Sequence, residues 1–162
     1  SIGNYGTVVN PKTGKVWLDR NLGATRVATS STDALAFGDL YQWGRNADGH
    51  QLRTSSTSTT LAGDYFTNSG SFIITNTAPN NWMSNAETHM WLGTAAENNP
   101  CPCGFRIPTA AEWLQEQRTW SSSNAFGAFA SPLKLPLPGL RIFSNGEFES
   151  VGLTGYYWTS TK

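Results

Sequence analysis

The stretch from residue 98 to residue 113, NNPCPCGFRIPTAAEW, constrains the fold most strongly, because it contains a complete helix start. Thr109 and Glu112 stand three residues apart and form a capping box, in which each side chain accepts a hydrogen bond from a backbone N–H at the helix start. Pro108 keeps the residue before it extended, and good helix formers follow Glu112. We therefore expect an extended arm that leads into a helix over residues 110–119.

A second helix is predicted closer to the N-terminus. Asp33 closes a run of residues that favour the N-cap position, and apolar side chains follow at helical spacing from Phe37 onward. Gly44 is a residue type that commonly follows the last turn of a helix. This pattern predicts a helix over residues 33–43, although Gly38 inside it weakens it by up to ~1 kcal/mol.

Two β-hairpins are predicted from turn residues that separate short apolar runs. The first joins residues 6–9 to residues 15–18 across a turn that contains Pro and Gly. The second is centred on Asn145 and Gly146, a pair that favours a type I′ turn. Residues 156–160 are rich in aromatic side chains and predict a further strand, in one sheet with the N-terminal hairpin.

These elements predict one α+β domain over residues 1–162, with two helices packed on small, mostly antiparallel sheets. Regular patterns fade between residues 45 and 99, so this part of the chain is expected to form long irregular loops. Loops of this length inside a compact domain are usually functional or disordered, and the tryptophans in this one indicate that it is ordered.

The composition argues against several classes of function. The chain has 11 Lys and Arg residues against 11 Asp and Glu residues, and only 14% of its residues are charged. Binding to nucleic acid or to an anionic membrane surface requires clustered Lys and Arg, so neither partner is expected. No apolar run approaches the ~20 residues of a membrane-spanning helix. A surface rich in Ser, Thr and Asn and poor in Lys and Glu is typical of an extracellular bacterial protein.

Catalysis is not predicted. The chain has two histidines, His50 and His89, and none of the spacings that mark zinc hydrolases, serine hydrolases or phosphate-binding loops. Cys101 and Cys103 are the only cysteines, and the single residue between them would strain a bond between the two sulfurs. We therefore expect two thiols that are not bridged to each other, one of which can pair with a partner outside this chain.

A group of polar side chains in the sequence WGRNADGH, residues 43–50, is the best candidate for ligand binding. Arg45, Asp48 and His50 provide a forked donor, a carboxylate and an imidazole, which together can hold the polar groups and terminal carboxylate of a peptide. Structural alternatives exist for each part of this group. Trp43 is more simply a core residue, Asp48 and the glycine after it can form an ordinary turn, and Arg45 fits either interpretation.

Calcium is the predicted cofactor. This ion takes six to eight oxygen ligands from carboxylates, amides and backbone carbonyls, and the region between residues 45 and 99 is rich in such groups. Asp48, Asn98 and Asn99 are the predicted ligands, the two asparagines because the prolines that follow them stiffen the chain. For Asn98 and Asn99, turn formation is an equally good interpretation.

The two tryptophans of the same region, Trp82 and Trp91, also have two interpretations. They can act as anchors at the rim of a ligand site, or they can form a small core beneath a long loop, which is the commoner arrangement. Together with Arg45 and His50 they are the predicted ligand-binding residues.

The order of GKVWLDRNLG, GDLYQWGR, NNPCPCGFRIPTAAEW and GYYWTST resembles the bacterial FISUMP family, the major paralogous domain first named in Fibrobacter. The family pattern runs VWLxxNL, G-x-LYxW, CPxGFRLPTxxEW and YWSST, and the match spans residues 16–161. The resemblance implies a C-type-lectin-like fold, shared with formylglycine-generating enzymes and with ligand binders diversified by retroelements. The family pattern continues into further C-terminal strands that carry a cysteine partner for Cys101, and we expect those strands to be missing from residues 1–162.

The closest look-alikes within this family are peptide-binding domains near the tips of giant calcium-dependent bacterial adhesins. The resemblance therefore implies a secreted, non-enzymatic and calcium-dependent module, one domain of a larger chain. Its partner would be a peptide or protein C-terminus on a target cell, bound in cell adhesion. A glycan-binding or retroelement-diversified display domain is the alternative, and a degenerate formylglycine-generating enzyme is a weaker one.

Overall fold

The computed structural model describes residues 3–85 and 89–162, which form a small mixed α/β domain with two α-helices and short sheets. No helix among these residues has the length and apolar character needed to cross a membrane. In chain order, the α-helices and strands are β1 (Thr7–Val9), β2 (Val16–Leu18), β3 (Thr57–Ser58), β4 (Phe72–Ile73), α1 (Ala110–Gln117), α2 (Ala125–Ala130), β5 (Leu140–Arg141) and β6 (Phe148–Glu149).

The strands of the described residues pair into three separate two-stranded sheets. Strands β1 and β2 pair antiparallel, as do β5 and β6, whereas β3 and β4 pair parallel. The expected sheet that joins residues 156–160 to the N-terminal hairpin is wrong, because these residues form no strand. The nearest pairing is a single parallel bridge between Gly139 and Gly155.

Both predicted hairpins are present, and they share one turn geometry. The first closes with the Asn10 N–H donating to the Lys15 carbonyl at 3.0 Å, and the second with the Ile142 N–H donating to the Glu147 carbonyl at 2.8 Å. The predicted type I′ turn is wrong, because Gly146 has a φ of 75° while Asn145 before it has no positive φ. A type I′ turn requires a positive φ at both central residues.

Helix α1 begins as predicted. The Glu112 N–H donates to Thr109 Oγ1 at 3.2 Å, and the Thr109 N–H donates to Glu112 Oε2 at 2.9 Å, which completes the capping box. The two guanidinium nitrogens of Arg106 donate to the same carboxylate at 2.7 and 2.8 Å. These hydrogen bonds, with Arg106 the largest contributor, lower the pKa of Glu112 to about 2.

The predicted helix over residues 33–43 is wrong. Only one 3₁₀ turn forms, Ala34–Ala36, with Asp33 as its N-cap. Gly38 then takes a φ of 70°, and a Cβ built on it would lie 2.4 Å from the Leu22 carbonyl oxygen. The glycine therefore turns the chain out of the helical path and lets its backbone pack directly against Leu22. The second helix of the domain is instead α2, with Asn124 as its N-cap.

The N-terminal hairpin is fixed to helix α1 by a buried polar contact. The Asn10 amide nitrogen donates to both oxygens of the Glu116 carboxylate at 2.8 Å and to Thr119 Oγ1 at 2.9 Å. Beside this contact the rings of Trp17 and Trp113 meet with their centres 5.0 Å apart. These hydrogen bonds hold the hairpin against the helix, because a buried polar group is costly unless its hydrogen bonds are kept.

The long irregular region folds around its own hydrophobic core. Ala62, Ile73, Trp82, Met83 and Met90 form a buried cluster, against which two partly buried aromatic rings pack. Both tryptophans of this region use their indole N–H groups inside the protein, since Trp82 donates to the Trp43 carbonyl at 2.7 Å and Trp91 donates to the Asn98 carbonyl at 2.9 Å.

Candidate functional site

Arg45 has no exposed side-chain surface, and its guanidinium group binds the loops around it. Its Nη1 donates to Gln42 Oε1 at 2.7 Å and to the Ser71 carbonyl at 3.0 Å, and its Nη2 donates to Asp48 Oδ2. The guanidinium carbon also lies 5.3 Å from the centre of the Trp82 ring, a cation–π distance. Burial lowers the pKa of Arg45, and the contact with the Asp48 carboxylate opposes that shift.

His50 is held by hydrogen bonds at both ring nitrogens. Its Nδ1 lies 2.6 Å from Asp48 Oδ1, and its Nε2 accepts the Gln42 backbone N–H at 3.0 Å. Because an accepting Nε2 carries no proton, the imidazole is neutral with its proton on Nδ1. Burial lowers the pKa of His50, and the hydrogen bond to Asp48 offsets only part of this effect.

Asp48 remains ionised at the centre of this network. Burial alone would favour the neutral acid, but the hydrogen bonds from His50 and from Arg45 outweigh it and lower the pKa of Asp48 to about 2. Gln42 then connects the network to strand β4, because its amide donates to the Ile73 carbonyl at 2.8 Å and accepts the Ile73 N–H at 3.0 Å. These hydrogen bonds therefore hold the loop that contains Gln42, Arg45 and Asp48 against strand β4.

The structure brings four of the predicted site residues together, but as partners of one another. Arg45, Asp48 and His50 share hydrogen bonds, and Trp82 lies against the guanidinium group. Trp91 is buried in contact with the Trp43 ring. The predicted ligand-binding side chains Arg45, His50, Trp82 and Trp91 are each at most 3% exposed, so they lie beneath the surface of this structure.

The predicted calcium ligands do not form a prepared cation site. Both oxygens of Asp48 already bind Arg45 or His50. The Asn99 side-chain oxygen accepts the Cys101 N–H at 3.1 Å, and the Asn98 amide nitrogen donates to the Gly44 and Tyr65 carbonyls. Within the described ranges, no group of three or more His, Cys, Asp or Glu side chains could hold a metal. Calcium at Asp48 would have to replace its present partners.

Cys101 and Cys103 are both unbridged, as the sequence predicts. Cys101 is half-buried, and burial raises the pKa of its thiol to about 12. A thiol with such a pKa is protonated at neutral pH and is a poor nucleophile. Cys101 therefore has the properties of a structural residue in this environment.

An open cleft of about 540 Å³ lies between helices α1 and α2 and the C-terminal segment. Its walls come from residues 110–128, 135–137 and 153–159, and none of the side chains that line it carries a formal charge at neutral pH. Three aromatic residues, Trp113, Trp120 and Tyr157, are among those that line it. We call this space the helix cleft.

Hydrogen bonds hold the aromatic side of the helix cleft in place. The Trp113 indole N–H donates to the Trp158 carbonyl at 2.9 Å, and the Tyr157 hydroxyl donates to the Pro136 carbonyl at 2.7 Å. Burial raises the pKa of Tyr157, so the phenol remains neutral at physiological pH. The two rings also contact each other, with their centres 5.6 Å apart.

No protein-family model, curated protein or solved structure matches this chain. The resemblance to the FISUMP family and to the C-type-lectin-like fold therefore stays a prediction.

Sequence reasoning did not identify the helix cleft. Its residues come from the part of the chain that contains the two helices and from two later segments, residues 135–137 and 153–159, so no local motif connects them. The signals that were available are the aromatic residues Trp113, Trp120 and Tyr157. In the sequence these residues are equally consistent with an ordinary core.

Proposed function

We propose that this protein is a non-enzymatic ligand-binding module of an extracellular bacterial surface adhesin, and that it binds its ligand in the helix cleft. The observation that supports this site most directly is an open cleft of about 540 Å³ with an apolar, partly aromatic lining. Small-ligand sites are typically concave, mostly apolar and about 300–1,000 Å³ in volume. The adhesin context rests on the FISUMP resemblance alone.

The chemistry of the cleft supports binding in preference to catalysis. Acid–base and nucleophilic mechanisms use titratable groups that reach the substrate. The titratable group that lines the helix cleft in the described residues is Tyr157, whose hydroxyl is already bound to Pro136. The paired Asp48 and His50 side chains have no exposed surface, so a substrate cannot contact them in this conformation.

The surrounding fold supports a preorganised site. Helix α1 is capped at its start by Thr109 and held from behind by the buried contact between Asn10 and Glu116. The Trp113 indole N–H of α1 donates to the Trp158 carbonyl, and the Tyr157 hydroxyl donates to the Pro136 carbonyl, so hydrogen bonds join the walls of the cleft. A wall that is already ordered loses little conformational entropy when a ligand binds, which favours affinity.

Calcium dependence and recognition of a peptide terminus are part of the same proposal. A peptide terminus could reach Arg45, which lies outside the helix cleft, only after the residues around Asp48 rearrange, because the Arg45 side chain has no exposed surface. A chelation experiment tests this part separately.

The proposed site can be tested by filling it. Ala125 is exposed and lines the helix cleft, so Ala125→Trp should occlude the space without removing a core side chain. Ala111 is exposed on α1 and does not line the cleft, so Ala111→Trp is the matched control. The purified protein and both variants would be applied to arrays of peptides with free C-termini and of glycans, in calcium and in EDTA.

We expect the protein and Ala111→Trp to retain the same array ligands and Ala125→Trp to lose them. Loss of binding in EDTA would support the calcium proposal, and binding that persists in EDTA would remove calcium from it. Absence of any array ligand in either buffer, or binding that Ala125→Trp leaves intact, would contradict recognition at the helix cleft.

A further inference from the structure

A second, smaller cavity lies beside the N-terminal hairpin. Its volume is about 160 Å³, and its walls come from residues 16–18 and 20–22, from the extended residues 105–108 before α1, and from single residues that include Cys101. Trp113 and Tyr157 line both this cavity and the helix cleft, so the two spaces share these rings. We call the smaller space the hairpin cavity.

The polar side chains that line the hairpin cavity are already engaged elsewhere in the protein. Arg20 donates to both oxygens of Asp19 at 2.8 and 3.0 Å, and Arg106 donates to both oxygens of Glu112 at 2.7 and 2.8 Å. The Asn21 amide nitrogen donates to a backbone carbonyl at 3.1 Å. The remaining lining residues are aliphatic or aromatic, apart from the cysteine. The cavity therefore offers a molecule mainly apolar contacts.

The size and opening of the hairpin cavity limit what can enter it. An apolar cavity of about 150 Å³ in a protein interior is large enough to bind benzene. The hairpin cavity has a similar volume, so it has room for one six-membered aromatic ring. Val16 lines the cavity and is 54% exposed, which places this side chain at the rim. Cys101 contributes an uncharged thiol to the wall, because burial raises its pKa to about 12.

We infer that the hairpin cavity is a second binding site, which takes a small neutral aromatic molecule the size of one substituted benzene ring. Binding removes apolar surface of the molecule and of the cavity from water, which is favourable. An aromatic carboxylate is disfavoured, because it would lose hydration while both nearby guanidinium groups are already paired with carboxylates. This site is separate from the one proposed in the helix cleft, although a molecule bound there would contact two rings that the cleft shares.

Ligand-observed NMR titration of the whole chain with toluene, indole and benzoate tests the inference. Val16→Trp places a large ring at the rim of the cavity. Val9→Trp is the matched control, because Val9 is 52% exposed and lies opposite Val16 in the hairpin but does not line the cavity. We expect toluene or indole to bind with a dissociation constant of about 0.1–1 mM, weakened about fivefold or more in Val16→Trp and unchanged in Val9→Trp. Benzoate should bind more weakly than toluene.

The two cysteines provide an independent measure of the position of the bound molecule. Cys101 lines the hairpin cavity, whereas Cys103 is exposed and does not line it. The rate of modification by methyl methanethiosulfonate would be measured by mass spectrometry in Cys103→Ser, which retains Cys101, and in Cys101→Ser, which retains Cys103. We expect toluene to slow the reaction of Cys101 about twofold or more and to leave that of Cys103 unchanged.

Weaker binding in Val16→Trp alone, or slower modification of Cys101 alone, would locate the molecule in the hairpin cavity. Absence of saturable binding by both toluene and indole would overturn the inference. It also fails if binding occurs but Val16→Trp leaves the affinity unchanged and Cys101 is not protected, or if benzoate binds more tightly than toluene. Val16 does not line the helix cleft, so Val16→Trp should retain the array ligands, and failure of either proposal leaves the other standing.

Discussion

Removal of the Arg45 side chain should destabilise the protein more than any exposed substitution. Arg45→Met keeps the length and apolar stem of the side chain but deletes the donors to Gln42, Ser71 and Asp48. It leaves the Asp48 carboxylate buried with His50 as its remaining side-chain partner. Breaking one member of a buried charge pair typically lowers the free energy of unfolding by about 3–5 kcal/mol, so we expect a loss in that range.

Urea denaturation monitored by tryptophan fluorescence measures this loss as a lower midpoint with an unchanged m-value. Arg118→Met is the matched control, because Arg118 is exposed at the end of α1 and should change stability by less than about 0.5 kcal/mol. Arg45→Met combined with Asp48→Asn should recover part of the loss, since the unpaired charge is then absent. A loss below about 1 kcal/mol for Arg45→Met would refute the structural role of the network.

Four further predictions concern the pH dependence of stability, one glycine and one helix cap. Burial lowers the pKa of His50 below 6.5 in the folded protein, so below pH 6.5 the unfolded chain binds more protons at His50 than the folded protein does. The free energy of unfolding should therefore decline as the pH falls below 6.5. A second decline should occur between pH 3.8 and about 2 as Asp48 is protonated, and pH-dependent urea midpoints measure both. Gly38→Ala should lower the free energy of unfolding more than Gly14→Ala. Both positions have a positive φ near 70°, which costs any other residue about 1–2 kcal/mol, but only at Gly38 would the new Cβ also clash with a carbonyl oxygen. Thr109→Ala should lower the free energy of unfolding by about 1 kcal/mol through loss of the helix cap, and equal stability of variant and parent would contradict this.

Local sequence patterns correctly predicted the elements that are specified by residues close together in the chain. The capping box of Thr109 and Glu112 is complete within four residues, and helix α1 begins where it indicates. The two hairpins are likewise specified by their turn residues. By contrast, the pattern after Asp33 suggested a helix that Gly38 does not continue. The reason is a contact with the Leu22 carbonyl that sequence spacing cannot reveal.

The polar residues around Arg45 illustrate a different limit. Their types and spacing predicted that they act together, and the structure does place Arg45, Asp48 and His50 in one network. Their spacing alone does not tell whether such groups face a ligand or one another, because that depends on burial by distant residues such as Ile73. The helix cleft could not be predicted for the same reason, since Trp113 and Tyr157 are far apart in the sequence and meet only after the chain has folded.

The central claim is that the ligand binds in the helix cleft. Mapping of backbone amide, side-chain amide and indole N–H signals during ligand titration tests this claim most directly. It uses the ligand retained by the arrays and two-dimensional nitrogen–proton spectra of the labelled protein. We predict that the largest shifts fall on the indole signals of Trp113 and Trp120 and on the Gln117 side-chain amide, all of which line the helix cleft. The largest shifts on the signals of Arg45 and His50, with those of the cleft unmoved, would contradict it.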